Sequence, residues 1–174
     1  VVYAGGGVIL ADAAKELKEL VTHFSLPVAH SLMGKGVISD DHPLTLGMTG
    51  FWGTKFINDK CRNADYIFAV GTRFAEADCS SWESEYTFSI PPTRLIHIDI
   101  DSNEIGRNYP VEIGVVTDLK QALTVLLRVA KRLYSSGRKN EKLVNEIAAY
   151  RKGFRQANEE FVNSAAYPMR PERI

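Results

Sequence analysis

The sequence predicts an α/β protein: a doubly wound, mostly parallel, Rossmann-like sheet of about five or six strands, with helices on both faces and a further C-terminal helix. Two observations support this fold class. Short apolar segments rich in β-branched residues alternate with segments whose apolar residues recur every three or four positions. The short segments are apolar throughout rather than at every second residue, which indicates parallel strands covered on both faces.

The first part of the chain predicts a strand, a helix and a second strand. Residues 1–4 form a short apolar segment that ends at three glycines. A helix with one buried stripe follows, and the stripe consists of Leu10, Ala14, Leu17, Val21 and Phe24. Pro27 then begins a second strand over residues 28–31.

The remaining elements continue this alternation. A helical stretch ends near residues 58–62, and strands are predicted at Tyr66–Val70, 94–101 and 111–116. Residues 76–92 have no periodicity and predict a long loop. The next amphipathic helix has the apolar stripe Leu119, Leu123, Leu126, Ala130 and Leu133. The last helix has the stripe Leu143, Ile147, Tyr150, Phe154, Ala157 and Phe161.

Two prolines close the chain in a segment that predicts a linker. Pro168 and Pro171 in "YPMRPERI" prevent the last helix from continuing. The sequence therefore divides into a Rossmann-like domain over residues 1–135 and a helix with a linker over residues 136–174. Because the chain also lacks an initiator methionine, we expect it to be a fragment of a larger enzyme.

Composition excludes several classes of function. Lysine plus arginine and aspartate plus glutamate number 21 each, so the net charge is zero and a nucleic-acid or membrane-surface binder is disfavoured. No apolar run has the length of a membrane span, and no signal peptide is visible. Cys61 and Cys79 lack metal-ligand spacing, so we expect reduced thiols in a cytoplasmic protein, with a disulfide as the alternative.

Small and acidic residues follow several predicted strands, where ligands bind in doubly wound sheets. They are Gly5, Gly6, Gly7, Ser31, Gly71, Thr72, Arg73, Asp99 and Asp101. Glycine lets a backbone approach a pyrophosphate closely, but the same glycines also suit tight turns. The dinucleotide fingerprint is absent, since Leu10 occupies the position where that pattern needs a third glycine. Arg73 suits a diphosphate and equally a structural salt bridge.

The segment "GKGVISDDHPLTLGMTGFWGT" is dense in glycine and is too irregular to predict a helix or a strand. It holds Met48, Phe51 and Trp52, which either pack over the sheet edge or cover a flat ligand ring. From the residues alone, packing is the favoured alternative. Four scattered histidines lack metal spacing, and His97 lies within a predicted strand as a satisfied core histidine would.

In their order and spacing, these segments resemble the central domain of thiamine-diphosphate-dependent enzymes of the acetolactate synthase type. The resemblance covers most of residues 1–133. It rests on Gly5-Gly6-Gly7, the glycine-dense segment quoted above, "ADYIFAVGTRF", "LIHIDIDSNEIGRN" and "GVVTDL", and the tail "MRPERI" is similar to the start of the next domain in such enzymes.

The resemblance implies a three-domain subunit whose flanking domains bind thiamine diphosphate and magnesium and supply the catalytic glutamate. The parent would be a homodimer or homotetramer, a transferase or lyase that decarboxylates a 2-keto acid and transfers the resulting two-carbon unit. This chain has no Gly-Asp-Gly motif for the metal and diphosphate. We therefore expect it to have no catalytic residue or metal site of its own and to be inactive alone.

Family members hold FAD or ADP in this domain, and the resemblance assigns cofactor contacts by position. The glycine triplet, Gly71, Thr72 and Arg73 would face the diphosphate and ribose. The cofactor's middle and flavin would meet Ser31, Leu32, Met33, Gly50, Phe51 and Trp52. Asp99, Ile100, Asp118 and Leu119 would border the adenosine, where a carboxylate can accept hydrogen bonds from ribose or adenine.

Two departures from the family pattern weaken the assignment to FAD. Trp52 replaces the histidine of "GMxGxHG", and "GxRFDDR" reads "GTRFAEA", so that Ala75 and Ala77 replace an aspartate and an arginine. Two alternatives therefore stay open. One is a nucleotide-free structural spacer, and the other is a stand-alone FAD- or NAD-binding module such as an electron-transfer flavoprotein or deacylase-like domain.

Overall fold

The computed structural model describes residues 1–173, which contain one six-stranded parallel sheet. In spatial order the strands are β3-β2-β1-β4-β5-β6. Their bounds in chain order are Val2–Ala4 (β1), Val28–His30 (β2), Thr45–Met48 (β3), Tyr66–Val70 (β4), Arg94–Asp99 (β5) and Ile113–Val116 (β6). All five pairings are parallel, which confirms the predicted doubly wound fold class.

Helices pack on both faces of the sheet, but all four residues of the edge strand β6 are exposed, so the expectation of strands covered on both faces fails there. The α-helices are Gly7–Leu10 (α1), Ala14–Phe24 (α2), Lys55–Arg62 (α3), Leu119–Leu133 (α4), Glu141–Ala157 (α5) and Glu159–Val162 (α6). Single 3₁₀ turns lie at Leu32–Gly34, Gly50–Trp52, Glu76–Cys79 and Pro171–Arg173. No helix within residues 1–173 is both long and apolar enough to cross a bilayer.

Alternation along β1 divides the core into two clusters. Val2 and Ala4 join the cluster that contains Leu17 of α2 and Leu123 of α4. Tyr3 points to the other face and joins Ile57 of α3, Phe88 and Ile147 of α5. Helix α5 therefore packs in the same core as the strands, rather than lying apart from them.

One strand contradicts the expectation that the glycine-dense segment is wholly irregular. Within it, Thr45–Met48 forms β3 and pairs with β2 at the edge of the sheet. The pairing shifts register between Val28 and Ala29, and Gly47 has φ +128°. Strand β3 depends on its pairing with β2 and on the shifted register of that pairing. Its own four residues have no periodicity from which a strand could be predicted.

Three predicted apolar stripes are only partly buried. The first helix divides at Asp12, whose φ is +50°, so Leu10 belongs to α1 and is 91% exposed. In α4, Leu119 and Leu123 are buried, whereas Leu133 is exposed. In α5 only Ile147 is fully buried, and the helix ends at residue 157 before the short α6. A periodic apolar stripe therefore predicts a helix, but which residues of the stripe are buried depends on how far the helix extends beyond the sheet that it covers.

Both cysteines are buried and free, as predicted. Burial raises the pKa of Cys61 to about 12 and also raises the pKa of Cys79. Neither thiol therefore has the character of a reactive cysteine.

Candidate functional site

The strand order reverses between β1 and β4, and the loops after these two strands meet at the carboxyl edge of the sheet. Gly5, Gly6 and Gly7 follow β1, and Gly71, Thr72 and Arg73 follow β4. The amide of Gly5 donates to the Val70 carbonyl at 3.0 Å, and the amide of Gly7 donates to the Gly71 carbonyl at 2.9 Å. In this topology, such a reversal is where a crevice for a ligand opens.

Close contact between the two strand tips requires glycine. A Cβ on Gly5 would lie 2.1 Å from the Gly71 oxygen, and one on Gly7 would lie 2.7 Å from the Gly71 Cα. Gly71 itself has φ +56°. These glycines therefore have a packing role that does not depend on any ligand.

A pocket of about 200 Å³ opens beside this contact. Gly7, Gly71, Asp99, Ile100, Asp118 and Leu119 line it together with Leu10 and Ala11. The first six are all among the sixteen predicted cofactor residues. They come from the ends of β1, β4 and β5 and from the start of α4, so the fold brings four separate segments to one place.

Two carboxylates give this pocket its polar character. Asp99 is 8% exposed, and its Oδ1 accepts the Asp101 amide at 3.0 Å. Asp118 is the N-cap residue of α4, and its Oδ1 accepts the Gln121 amide at 2.9 Å. Among residues 1–173 the second oxygen of each carboxylate has no donor. The pocket thus offers acceptors beside the apolar walls of Leu10, Ala11, Ile100 and Leu119, which suits an uncharged ring with hydroxyl or amino groups.

The loop after β2 lies beside the glycine tip but outside this pocket. Ser31 is buried, and its hydroxyl accepts the Gly34 amide at 3.1 Å. The Leu32 amide donates to the Asp78 carboxylate at 2.9 Å, and the Thr49 hydroxyl donates to the Asp78 carbonyl at 2.9 Å. Asp78 was not predicted from the sequence, because its partners lie 46 and 29 residues away.

Met33, Phe51 and Trp52 present apolar side chains to solvent at this edge. They are 69%, 78% and 54% exposed. The favoured expectation that Met48, Phe51 and Trp52 pack over the sheet edge is therefore wrong for Phe51 and Trp52, whereas Met48 of β3 is half-buried. Gly50 fixes the conformation of the loop that contains Phe51 and Trp52. Its φ is +72°, and a Cβ at this position would lie 2.2 Å from the Ala77 carbonyl oxygen. Its amide donates to Asn58 Oδ1 at 2.9 Å.

The side chain of His97 has a hydrogen-bond partner, whereas the side chain of Arg73 has no ion-pair partner among residues 1–173. Arg73 is exposed, and no described carboxylate lies within 4.0 Å of its guanidinium, so the alternative of a structural salt bridge finds no partner in residues 1–173. His97 is buried with its Nε2 2.9 Å from the Thr72 carbonyl, to which it donates. Burial lowers the pKa of His97, as expected for a satisfied core histidine.

No group of three or more histidine, cysteine, aspartate or glutamate side chains in the described part of the chain is arranged to hold a metal ion. The pocket also lacks a nucleophile beside a base.

Comparison with known protein families shows to which family this chain belongs. The sequence model of the family described as "Thiamine pyrophosphate enzyme, central domain" matches residues 1–126. The chain belongs to this family.

Two relatives of this central domain have the same name. The domain is 42% identical over 127 residues to a protein of Methanocaldococcus jannaschii named "Probable acetolactate synthase large subunit", with 73% of this chain and 21% of that protein covered. A protein of the same name from Methanococcus aeolicus is 33% identical over 177 residues, 100% of this chain and 29% of that protein.

A third relative has a different name. The "Glyoxylate carboligase" of Escherichia coli O157:H7 is 41% identical over 139 residues, 79% of this chain and 23% of that protein. The central domain therefore spans between about a fifth and three tenths of the length of these relatives.

Proposed function

We propose that this chain is the central domain of a cytoplasmic thiamine-diphosphate-dependent enzyme that decarboxylates a 2-keto acid and transfers the two-carbon unit, as a transferase or lyase of the acetolactate synthase type. The family match and the names of the relatives support this proposal. Thiamine diphosphate and magnesium belong to flanking domains of the same polypeptide, in a homodimer or homotetramer. Residues 1–135 form the domain, and residues 136–174 form its last helix and the linker. With pyruvate, thiamine diphosphate and magnesium, the chain alone is inactive.

The carboxyl-edge crevice is proposed to hold an adenine nucleotide, FAD or ADP. The observation that carries this proposal is the pocket, where Asp99 and Asp118 face apolar walls with free carboxylate oxygens. Ribose hydroxyls and the adenine amino group are donors of the kind these oxygens accept. Arg73 and the glycine tips would meet the diphosphate, and Phe51 and Trp52 would be available to a flavin.

A structural spacer is the second candidate. Contact between the strand tips already explains the glycines, and exposed Met33, Phe51 and Trp52 could instead contact a flanking domain. In that case the crevice would have no affinity for nucleotides.

Thermal unfolding with ADP, FAD or coenzyme A distinguishes the two candidates. A ligand at a hundred times its Kd stabilises the folded state by about 2.7 kcal/mol, which raises Tm by several degrees. We expect at least one of these compounds at millimolar concentration to do so. Asp99→Asn should reduce the shift, whereas Asp101→Asn, which alters an exposed neighbour outside the pocket, should leave it unchanged. No shift with any compound would favour the spacer.

A further inference from the structure

The outer side of β6 is the open edge of the sheet. At the opposite edge, Arg151 of α5 donates to the carbonyls of His42 and Thr45 and so covers β3. Strand β6 has no such cover within residues 1–173, since all four of its residues are exposed. It also contains none of the lysine, proline or other charged residues that usually keep an exposed edge from pairing with another strand.

Two residues of β6 direct their backbone hydrogen-bonding groups away from the sheet. The Glu112 amide, just before the strand, donates to the Leu95 carbonyl of β5, so the Glu112 backbone faces β5. Because this direction alternates along a strand, Gly114 also faces β5, whereas Ile113 and Val115 direct their N–H and C=O groups outward. A strand laid along this edge would therefore find donors and acceptors in place.

The side chains of these two outward residues lie on the face of the sheet that α4 covers. Val115 is the register partner of Ile98, and Ile98 belongs to the core cluster that contains Leu123 of α4. Ile113 lies two residues before Val115 and so points to the same face. Both side chains are nevertheless exposed, because α4 does not extend over the edge strand.

Helix α4 adds more apolar side chains on this face. Its side toward α2 carries two ion pairs, Lys120 with Asp12 and Lys131 with Glu19. The opposite side of α4, toward the open edge, is apolar and consists of Val125, Leu126, Val129 and Leu133. Val129 is half-buried and the other three are exposed.

We call Ile113, Val115 and these four residues of α4 the β6 surface. Their exposed fractions correspond to roughly 400–500 Å² of apolar area, which is as much as the largest apolar patch of a typical monomer. Together with the strand backbone and a polar rim, this area approaches the roughly 800 Å² that each partner buries in a stable complex. None of the six residues lines the pocket of the proposed nucleotide site.

We propose that the β6 surface is the interface of a symmetric dimer, in which a second copy of this chain pairs its β6 antiparallel to the first. The twofold axis passes Gly114, so Ile113 of one copy lies opposite Val115 of the other, and each such pair exchanges both N–H···O bonds. The apolar sides of the two α4 helices then face each other across the paired strands. A second copy is favoured over a partner with an apolar surface alone, because its own β6 satisfies the outward backbone groups as well as the side chains.

Analytical ultracentrifugation of the whole chain tests the dimer. We expect twice the 19.4 kDa of the single chain at micromolar concentrations, with dissociation on dilution. A single chain at every concentration up to the millimolar range would overturn the proposal and leave the β6 surface to another part of the parent polypeptide or to a different protein.

Substitutions in each half of the β6 surface locate the interface. Ile113→Lys and Leu126→Lys each bury an unpaired charge on both copies, and each should weaken the dimer at least about 100-fold. Both residues are exposed in the single chain, so the Tm of each variant in its monomeric form should stay close to that of the dissociated original chain. Phe154→Lys is the matched control, because Phe154 of α5 is 50% exposed and Ile113 is 49% exposed. A dimer that resists both substitutions, or that Phe154→Lys weakens equally, would place the interface elsewhere and overturn the proposal.

Amide hydrogen exchange distinguishes strand pairing from contact between side chains alone. The amides of Ile113 and Val115 should exchange at least about tenfold more slowly in the dimer than in the Leu126→Lys variant. The Gly114 amide, which faces β5, should be protected in both. Equal exchange of Ile113 and Val115 in dimer and variant would show that the copies do not pair through β6 and would overturn the proposal.

Discussion

Among single residues, Gly71 has both a positive φ and no room for a Cβ atom, whereas most other glycines of the chain have only one of these two constraints. Its φ is +56°, and a Cβ there would lie 2.8 Å from the Gly7 Cα. Gly36 has φ +87° with no heavy atom within 4 Å of a Cβ, so it carries the backbone constraint alone. The contact between the strand tips should therefore be visible as a difference between these two positions.

We expect Gly71→Ala to lower the free energy of unfolding by about 3 kcal/mol and Gly36→Ala by about 1 kcal/mol. The first substitution adds a clash with backbone that cannot move aside, and the second adds only the cost of a left-handed alanine. Urea unfolding of both variants measures the difference. Equal effects would mean that the tips are not in the close contact described.

His97 should make stability depend on pH. Its Nε2 donates to Thr72, so protonation must occur at the buried Nδ1, and burial lowers its pKa in the folded state. Below the unfolded value of about 6.5 the unfolded chain binds this proton and the folded chain does not, so stability falls as pH falls. His42, whose pKa burial also lowers, contributes in the same direction.

Unfolding free energies at about pH 7.5 and 5.5 test this linkage. We expect His97→Gln, whose amide can still donate to Thr72, to show a smaller decrease than the unsubstituted chain, with the remainder due in part to His42. Carboxylates with lowered pKa values, such as Asp40, lose their contribution at more acidic pH and do not enter this window. A decrease as large in the variant as in the original chain would contradict the role of His97.

A functional position could be predicted from the sequence only where neighbouring residues in the chain determine its surroundings. Asp99 and Asp118 could be placed at the crevice because the end of a strand and the start of a helix can be recognised from neighbouring residues. Asp78 could not, because the groups that it binds, the Leu32 amide and the Thr49 hydroxyl, lie 46 and 29 residues away in the chain.

At the scale of elements, the sequence predicted every strand except β3. The other five are apolar and lie between recognisable turns, whereas β3 has four residues and includes a glycine with positive φ. Its outer edge is capped by Arg151 of α5, which follows it by more than a hundred residues. An edge strand of this kind is specified by what pairs with it and what covers it.

Helix α5 contains a glycine that its structure does not need. Gly153 lies within Glu141–Ala157, is exposed, and has no heavy atom within 4 Å of the position that a Cβ would occupy. We expect Gly153→Ala to raise the free energy of unfolding by up to about 1 kcal/mol. Ala149→Gly, at an exposed position of the same helix, should lower it by a similar amount. No effect of either change in chemical denaturation would show that α5 does not unfold with the rest of the chain.

At the scale of the whole molecule, the question is whether residues 136–174 stabilise the domain formed by residues 1–135. Ile147 is fully buried in the core cluster of Tyr3 and Phe88. Tyr150 stacks on Phe56 with ring centroids 4.0 Å apart, and its hydroxyl lies 2.6 Å from the Thr54 hydroxyl. The division proposed from sequence follows a change in polarity along the chain, but these contacts tie the last helix to the sheet.

Two truncations of the chain separate the helix from the tail. Removal of residues 136–174 exposes the core partners of Ile147 and the face of Phe56, a loss of about 3 kcal/mol or more, so Tm should fall by about 10 °C. Removal of residues 164–174 alone deletes a segment that is mostly exposed over residues 164–171 and that contacts the remaining chain through Arg170, which lies 5.0 Å from the centroid of the Phe161 ring, so Tm should change by less than about 2 °C. If the shorter chain of residues 1–135 melted at the same temperature as the whole chain, α5 would be an appendage rather than part of the core.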